Sequence, residues 1–127
     1  MSHWKNVGGF ALCAALTFSL SDPGLAGSCG YEYCWGAVAA GENGVAARAS
    51  GFRTAPDAWT RADRVCQQNC KTIEVFSNGC GAIAQNSDEA MFAGFAESRS
   101  AAESEVLALC DKQDGGVCRV RISACSK

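Results

Sequence analysis

Gly36-Ala37-Val38-Ala39 recurs 45 residues later as Gly81-Ala82-Ile83-Ala84, and this repetition decides the fold. A second pair of matching segments, Ala49-Ser50-Gly51-Phe52 and Phe92-Ala93-Gly94-Phe95, is offset by 43 residues. The two offsets differ slightly because loops between secondary-structure elements absorb insertions more easily than the elements do. The sequence therefore predicts an internally duplicated domain.

Each half of the duplication also contains one helical segment. In the first half, Thr54-Ala55-Pro56-Asp57 places a capping hydroxyl three residues before a carboxylate, with proline in the first turn, and the segment ends at Cys66. In the second half, Ser100 and Glu103 have the same spacing, and the segment ends at Cys110. We expect two equivalent helices that begin at Thr54 and Ser100.

The remaining elements are predicted to be strands, so that each unit runs strand, strand, helix, strand. Asn43-Gly44 is typical of a tight hairpin turn, because both residues tolerate a positive φ. Alternation in the last strand sets Val120 and Ile122 on one face, with Arg119 and Arg121 on the other. We expect an α+β fold: two tandem β-β-α-β units that form one antiparallel sheet with two helices on one face, stapled by disulfides.

The N-terminus has the pattern of a secretory signal peptide. Lys5 precedes an apolar run at residues 7–20, and Gly24-Leu25-Ala26 supplies the small residues that cleavage needs. The run of 14 residues is short for a membrane span, which takes about 20. The predicted organisation is a signal peptide at 1–26, an N-terminal segment at 27–33 and a single domain at 34–127, with repeat units at about 34–79 and 80–127.

Cleavage would leave eight of the nine cysteines, an even number that is typical of disulfides in an oxidising compartment. We therefore expect a periplasmic or secreted protein. Ser28 separates Gly27 from Cys29, which disfavours the alternative of a lipoprotein. No stable membrane span is expected in the mature chain.

The cysteine spacings favour particular pairs. Cys66–Cys70 and Cys110–Cys118 would each join a helix end to the strand that follows. Cys80 and Cys125 close equivalent strands and are the favoured third pair, which leaves Cys29–Cys34. The last two pairings stay open, because eight cysteines allow many connectivities. The spacings of Cys66, Cys70, Cys110 and Cys118 do not match a zinc ribbon, so no metal or cofactor is expected.

Composition also narrows the possible functions. His3 is the one histidine and lies in the predicted signal peptide, so Ser-His-Asp and Cys-His catalysis are excluded as usually built. The formal net charge is −2 and no run of lysine or arginine is dense enough for a nucleic-acid partner. Redox catalysis is disfavoured too, because Cys66 and Cys70 are predicted at a helix C-terminus, where the dipole disfavours thiolate.

Three motifs resemble the bacterial domain-of-unknown-function family 4189. They are Cys34-Trp35-Gly36-Ala37-Val38-Ala39, Phe76-Ser77-Asn78-Gly79-Cys80 and Ala124-Cys125-Ser126, in that order along the chain. The resemblance covers nearly the whole predicted mature chain. It implies a small exported domain with paired cysteines and no established activity, so it carries over no catalytic residue.

Two functional hypotheses remain. The favoured one is a monomeric, non-catalytic module that binds a protein partner, still unidentified, in the bacterial envelope or medium. The alternative is a small cell-envelope hydrolase using acidic residues, so the question of enzymatic activity stays open. Against it, Glu103 and Glu105 point apart on a helix, and Asp88 and Glu89 lie in a turn.

Two surfaces are candidates for the binding module. Arg119 and Arg121 would lie on the sheet face opposite the helices, where planar guanidinium groups can bind carboxylates. Tyr31 and Tyr33 lie outside the repeats, between Cys29 and Cys34, and form the second candidate surface.

Overall fold

The computed structural model describes residues 29–127, so the predicted signal peptide at 1–26 and the lipid-attachment alternative lie largely outside it. The elements of this part of the chain are β1 (Trp35–Gly41), β2 (Ala46–Phe52), α1 (Ala55–Val65), β3 (Cys70–Ser77), β4 (Gly79–Gln85), β5 (Met91–Ala96), α2 (Arg99–Asp111) and β6 (Arg119–Ser126). The α+β class and the two similar β-β-α-β units are confirmed.

The units form two sheets, and the predicted single sheet with both helices on one face is wrong. In the first unit the strand order is β2-β1-β3, and in the second it is β5-β4-β6, all antiparallel. The sheets pack face to face, and each helix covers the outer face of its own sheet. The physical reason lies in β1 and β4, which are apolar on both faces and need cover on each side.

Alternation along β1 divides its residues between two cores. Ala37 and Ala39 pack against α1, where Ala58 and Ala62 are fully buried. Val38 and its neighbours on the other face pack against the second sheet. Alanine on both sides lets helix and sheet approach closely, which accounts for the alanine-rich sequence of the strand.

The repeated glycines make room for one aromatic ring between the two sheets. Phe76 is buried, and its ring atoms would lie only 2.8 Å from a Cβ at Gly36 and 2.7 Å from one at Gly81. Phe95 packs beside it, with ring centroids 6.3 Å apart. The repeat of Gly36 at Gly81 is therefore a packing requirement that both units share.

The helix starts follow from their capping residues. The Oγ1 of Thr54 accepts a hydrogen bond from the amide of Asp57 at 3.2 Å, as the capping pattern predicts. The second helix is capped by Ser98, whose Oγ accepts from the amide of Ala101 at 3.1 Å. The predicted cap at Ser100 is wrong, and the helix is capped two residues earlier. Ser98 has the extended backbone that a cap requires, whereas Ser100 is already helical.

A β-bulge changes which side chains of β6 face the helix. Ile83 pairs with Ile122 and Ala84 pairs with Val120, so Arg121 has no partner in β4. Val120 consequently packs in the core beneath α2, whereas Ile122 packs between the sheets. The prediction that Val120 and Ile122 share the helix face is wrong, because one extra residue reverses the alternation.

Four disulfides join the pairs that the spacings favoured: Cys29–Cys34, Cys66–Cys70, Cys80–Cys125 and Cys110–Cys118. Two of them tie a helix end to the next strand. The Cys80–Cys125 bond crosses directly between paired residues of β4 and β6. Such disulfides are typical of proteins in an oxidising, non-cytoplasmic environment.

Candidate binding surfaces at the two ends of β1

The segment from Cys29 to Cys34 forms a closed loop at the start of β1, here called the tyrosine loop. Its ends are joined by the Cys29–Cys34 disulfide. Tyr31 and Tyr33 project from it with 44% and 52% of their surface exposed, although Cys34 itself is fully buried. The loop therefore presents two aromatic side chains on a base anchored in the core.

Asn78 fixes the tyrosine loop to the junction between the two units. Its Oδ1 accepts from the amide of Cys34 at 2.9 Å, and its own amide donates to the carbonyl of Cys34 at 3.1 Å. Its Nδ2 donates to the carbonyl of Glu32 at 3.2 Å. The Asn78 side chain thus holds the second half of the loop, from Glu32 to Cys34, and the disulfide holds its beginning.

Arg53 lies beside the tyrosine loop. Its guanidinium carbon is 5.9 Å from the centroid of the Tyr31 ring, within the range of a cation–π contact. Arg53 follows β2 directly, so the end of that strand places its charge next to the aromatic surface. The surface combines exposed aromatic area with one cation.

A second candidate surface lies at the opposite end of β1, where Arg121 joins the two units. One terminal nitrogen of its guanidinium donates to the Oε1 of Gln85 at 2.7 Å. The other donates to two carbonyl groups of the first unit, those of Gly41 at 3.1 Å and Val45 at 2.9 Å. Arg121 is half-buried and holds the β1–β2 hairpin against the second sheet.

Arg121 and Arg119 line one cleft of about 290 Å³, here called the arginine cleft. Its other walls are the hairpin turn at residues 41–44, Gln85 and Glu89. The predicted open sheet face does not exist, because the face of β6 away from α2 packs against the first unit. Arg119 and Arg121 nevertheless line the same cleft, and Arg119 is exposed.

Glu42, in the wall of the arginine cleft, forms an ion pair with Lys71. The hydrogen bond from Lys71 and then its positive charge lower the pKa of the Glu42 carboxyl. The same bond, followed by the charge of Glu42, raises the pKa of Lys71. Both side chains are exposed, so solvent screens this pair.

The acidic residues considered for hydrolysis lie in two different parts of the second unit, Glu103 and Glu105 on α2 and Asp88 and Glu89 between β4 and β5. Glu103 is half-buried, and its Oε2 accepts from the hydroxyl of Ser123 at 2.7 Å. That hydroxyl also accepts from Arg99 at 2.9 Å, and Arg48 of the first unit reaches the carbonyl of Ser123 at 3.3 Å. This arrangement ties α2 and β2 to the edge strand β6.

The other acidic residues considered for hydrolysis do not take part in this network. Glu105 and Asp88 are exposed, and Glu89 lines the arginine cleft.

Two absences in the described part of the chain concern metal binding and membrane insertion. Within residues 29–127, no three side chains of histidine, cysteine, aspartate or glutamate are grouped to hold a metal ion. Neither helix in that range is long and apolar enough to cross a membrane.

Comparison with known proteins places the chain in a family. The NMR structure of Rv1813c from Mycobacterium tuberculosis is similar, with 25% sequence identity and a TM-score of 0.55, over 91% of this chain and 98% of that one. No curated protein matches. Residues 35–125 match the family model described as a domain of unknown function, DUF4189. The match spans both units and most of the chain, and the protein therefore belongs to the DUF4189 family.

Proposed function

We propose that this protein is a small exported, non-catalytic module that binds a protein partner through the tyrosine loop. The observation that carries the proposal is the exposure of Tyr31 and Tyr33 on a loop closed by the Cys29–Cys34 disulfide. Tyrosine is enriched in protein interfaces because it combines a large apolar ring with a hydroxyl that can form a hydrogen bond.

The anchoring of the loop supports this proposal. Binding normally costs free energy to order loops and side chains at an interface. Here the disulfide and the three hydrogen bonds of Asn78 already order the loop backbone. Tyrosine itself has few rotatable bonds, so that little further entropy is lost when a partner binds.

The proposed location is the periplasm or the medium. Four disulfides in a domain of this size fit an oxidising compartment, and the pattern of residues 1–26 is that of an export signal. The loop would then lie close to the new N-terminus of the mature chain.

One observation bears on the hydrolase alternative. Glu42 and Glu89 both line the arginine cleft. The pKa of Glu42 is lowered, which keeps its carboxyl ionised and unsuited to donate a proton to a leaving group. We favour the binding module because of the exposed tyrosines on the anchored tyrosine loop.

A capture experiment with matched variants tests the proposal. The mature protein, tagged at its C-terminus, is exposed to envelope and medium fractions of the host, and bound proteins are quantified by mass spectrometry. We expect Tyr31→Ser with Tyr33→Ser to lose a specific partner that the parent protein captures. Trp59→Ser is the control, because Trp59 is also 44% exposed but lies on α1.

The melting temperature of each variant shows that it is folded. Retention of the partner by the folded double-tyrosine variant, at the level of the parent protein, would contradict binding through the tyrosine loop. Equal loss with Trp59→Ser would contradict it as well, because exposed aromatic area in general would then account for capture.

A further inference from the structure

The bulge in β6 gives Arg121 an unusual position for a residue in a strand. It has no partner in β4, and bulges commonly redirect a side chain in this way. Its three hydrogen bonds to Gln85, Gly41 and Val45 fix the guanidinium in the lining of the arginine cleft. A guanidinium carries five N–H groups, so it keeps donors beyond those three bonds.

Within residues 29–127, Arg121 forms no ion pair with a carboxylate. All three of its acceptors are neutral oxygen atoms. Within residues 29–127 the ion pairing is confined to Lys71 and Glu42, so the carboxylate of Glu42 is already engaged. A partly buried cation gains free energy when an anion approaches it, because its own hydration is incomplete.

Arg119 adds a second cation to the same cleft. It pairs with Gln85 in the β4–β6 ladder and is exposed, whereas Arg121 is half-buried. The planar guanidinium of the exposed Arg119 can bind a carboxylate with two parallel hydrogen bonds, and Arg121 can add a single donor beside it. The cleft volume of about 290 Å³ admits a short side chain or a chain end.

The walls of the cleft restrict the charge of the ligand. Glu42 and Glu89 lie in the same lining and repel an extended polyanion. A single negative charge directed at the guanidinium groups avoids most of that repulsion. We infer that the arginine cleft binds one carboxylate group, supplied by an acidic side chain or by a peptide C-terminus.

This inference does not depend on the tyrosine loop. The two surfaces lie at opposite ends of β1, whose seven residues span roughly 20 Å. The arginine cleft can be tested with small compounds in solution, without any protein partner. Failure here would leave the proposed function standing, and failure of the capture experiment would leave this inference standing.

Three matched compounds serve as probes in a titration followed by NMR. N-acetylglutamate α-amide carries only a side-chain carboxylate, and N-acetylglycine carries only a terminal carboxylate. N-acetylglutamine α-amide is the neutral control. We expect saturable shifts of the Nε–Hε resonances of Arg119 and Arg121, and of the amides at residues 41–44, with at least one carboxylate compound. Whichever of the two compounds binds more tightly identifies the source of the carboxylate.

Variants make the test specific to the cleft. Arg119 is exposed, so Arg119→Gln should fold normally and weaken binding roughly tenfold through loss of a charged hydrogen bond. Arg61→Gln, at an exposed position on α1, should bind like the parent protein. No saturable shift with either carboxylate, equal shifts with the neutral amide, or unchanged binding by folded Arg119→Gln would each overturn the inference.

Discussion

The first and second units share every element of the fold and differ where they meet. Gly36 of the first unit pairs with Phe76, whereas the matching Gly81 of the second unit pairs with Ala124. Only one large ring therefore enters the space between the sheets. Two copies of Phe76 would compete for the same volume, and Ala124 at the matching position of the second unit leaves that space to Phe76.

A second difference concerns how the central strand is joined to its neighbour. Cys80 and Cys125 are bonded across β4 and β6, and the matching positions of the first unit are Trp35 and Ser77. Trp35 instead packs against the core beneath α1. The first unit thus uses an aromatic side chain where the second uses a covalent bond.

The third difference lies in the bulge between the central strand and the last strand of each unit, β1–β3 and β4–β6. In the first unit Lys71 is the unpaired residue, because Ala40 pairs with Thr72 and Gly41 with Cys70. Lys71 faces solvent and pairs with Glu42, whereas the bulged Arg121 of the second unit crosses to the first. A shift of the bulge along the strand thus separates a surface ion pair from a contact that holds the units together.

We expect the largest effect from removing the shared ring. Phe76→Ala should lower the free energy of unfolding by about 3–5 kcal/mol, because it opens a cavity that both sheets line. Phe95→Ala should cost clearly less, since Phe95 is 39% exposed whereas Phe76 is 7% exposed. Chemical denaturation of the two variants measures the difference. Equal losses would show that the space between the sheets does not depend on Phe76.

We expect the next largest loss of stability from removing the Cys80–Cys125 disulfide. In the chain-entropy description, removing the Cys80–Cys125 bond, whose sequence separation is 45, costs about 4 kcal/mol. Removing Cys66–Cys70, with a separation of 4, costs about 2 kcal/mol. Paired cysteine-to-alanine variants, compared by denaturation, test this order. A larger loss from the Cys66–Cys70 pair would mean that local geometry outweighs loop length, and peptide mapping of the unreduced protein checks the pairs themselves.

Arg121 provides the third test. Arg121→Gln should lower the free energy of unfolding by about 1–3 kcal/mol, because the carbonyls of Gly41 and Val45 lose charged donors at the contact between the units. For a domain of this size that corresponds to a fall in melting temperature of roughly 5–20 °C. A melting temperature unchanged from the parent protein would show that the units hold together without this side chain.

The sequence predicted the local elements well because their determinants are local. The Thr54 cap and the apolar strand from Trp35 depend on neighbouring residues alone, and the structure contains both. Ser98 and Ser100 lie two residues apart, and each could cap α2. The spacing of Ser100 and Glu103 favoured the wrong serine, because it does not reveal which one has an extended backbone.

The arrangement of the sheets could not be read in the same way. A single extra residue, Arg121, shifts the register of β6. The alternation of apolar residues in the sequence does not indicate where such a bulge lies. The apolar run of β1 did carry the missing information, because a strand buried on both faces indicates two covering layers.

The candidate surfaces were only partly predictable. Tyr31 and Tyr33 stood out because they lie outside the repeats, and the structure places both on the surface. The role of Asn78 was missed, since its side chain acts on residues more than 40 positions earlier. The one local indication in the sequence was an asparagine followed by glycine. In the structure Asn78 has a positive φ of 54°.

The smallest effect should come from the Glu42–Lys71 pair. Its stabilisation is complete above the ordinary Glu42 pKa of 4.5 and is lost as pH falls through the lowered pKa. At alkaline pH it is present below the ordinary Lys71 pKa of 10.5 and is lost as pH rises through the raised pKa. Because both side chains are exposed, Glu42→Gln should change the melting temperature only slightly at pH 7.

That slight change should vanish in 1 M salt and below the lowered pKa of Glu42. The loss caused by Arg121→Gln should persist under both conditions, because its acceptors are neutral and its guanidinium stays charged. Melting curves of both variants, at pH 7 and at acid pH, with and without salt, make the comparison. If Glu42→Gln proved as costly as Arg121→Gln in high salt, the two bulges would be energetically equivalent, and the distinction between a surface contact and a contact between units would fail.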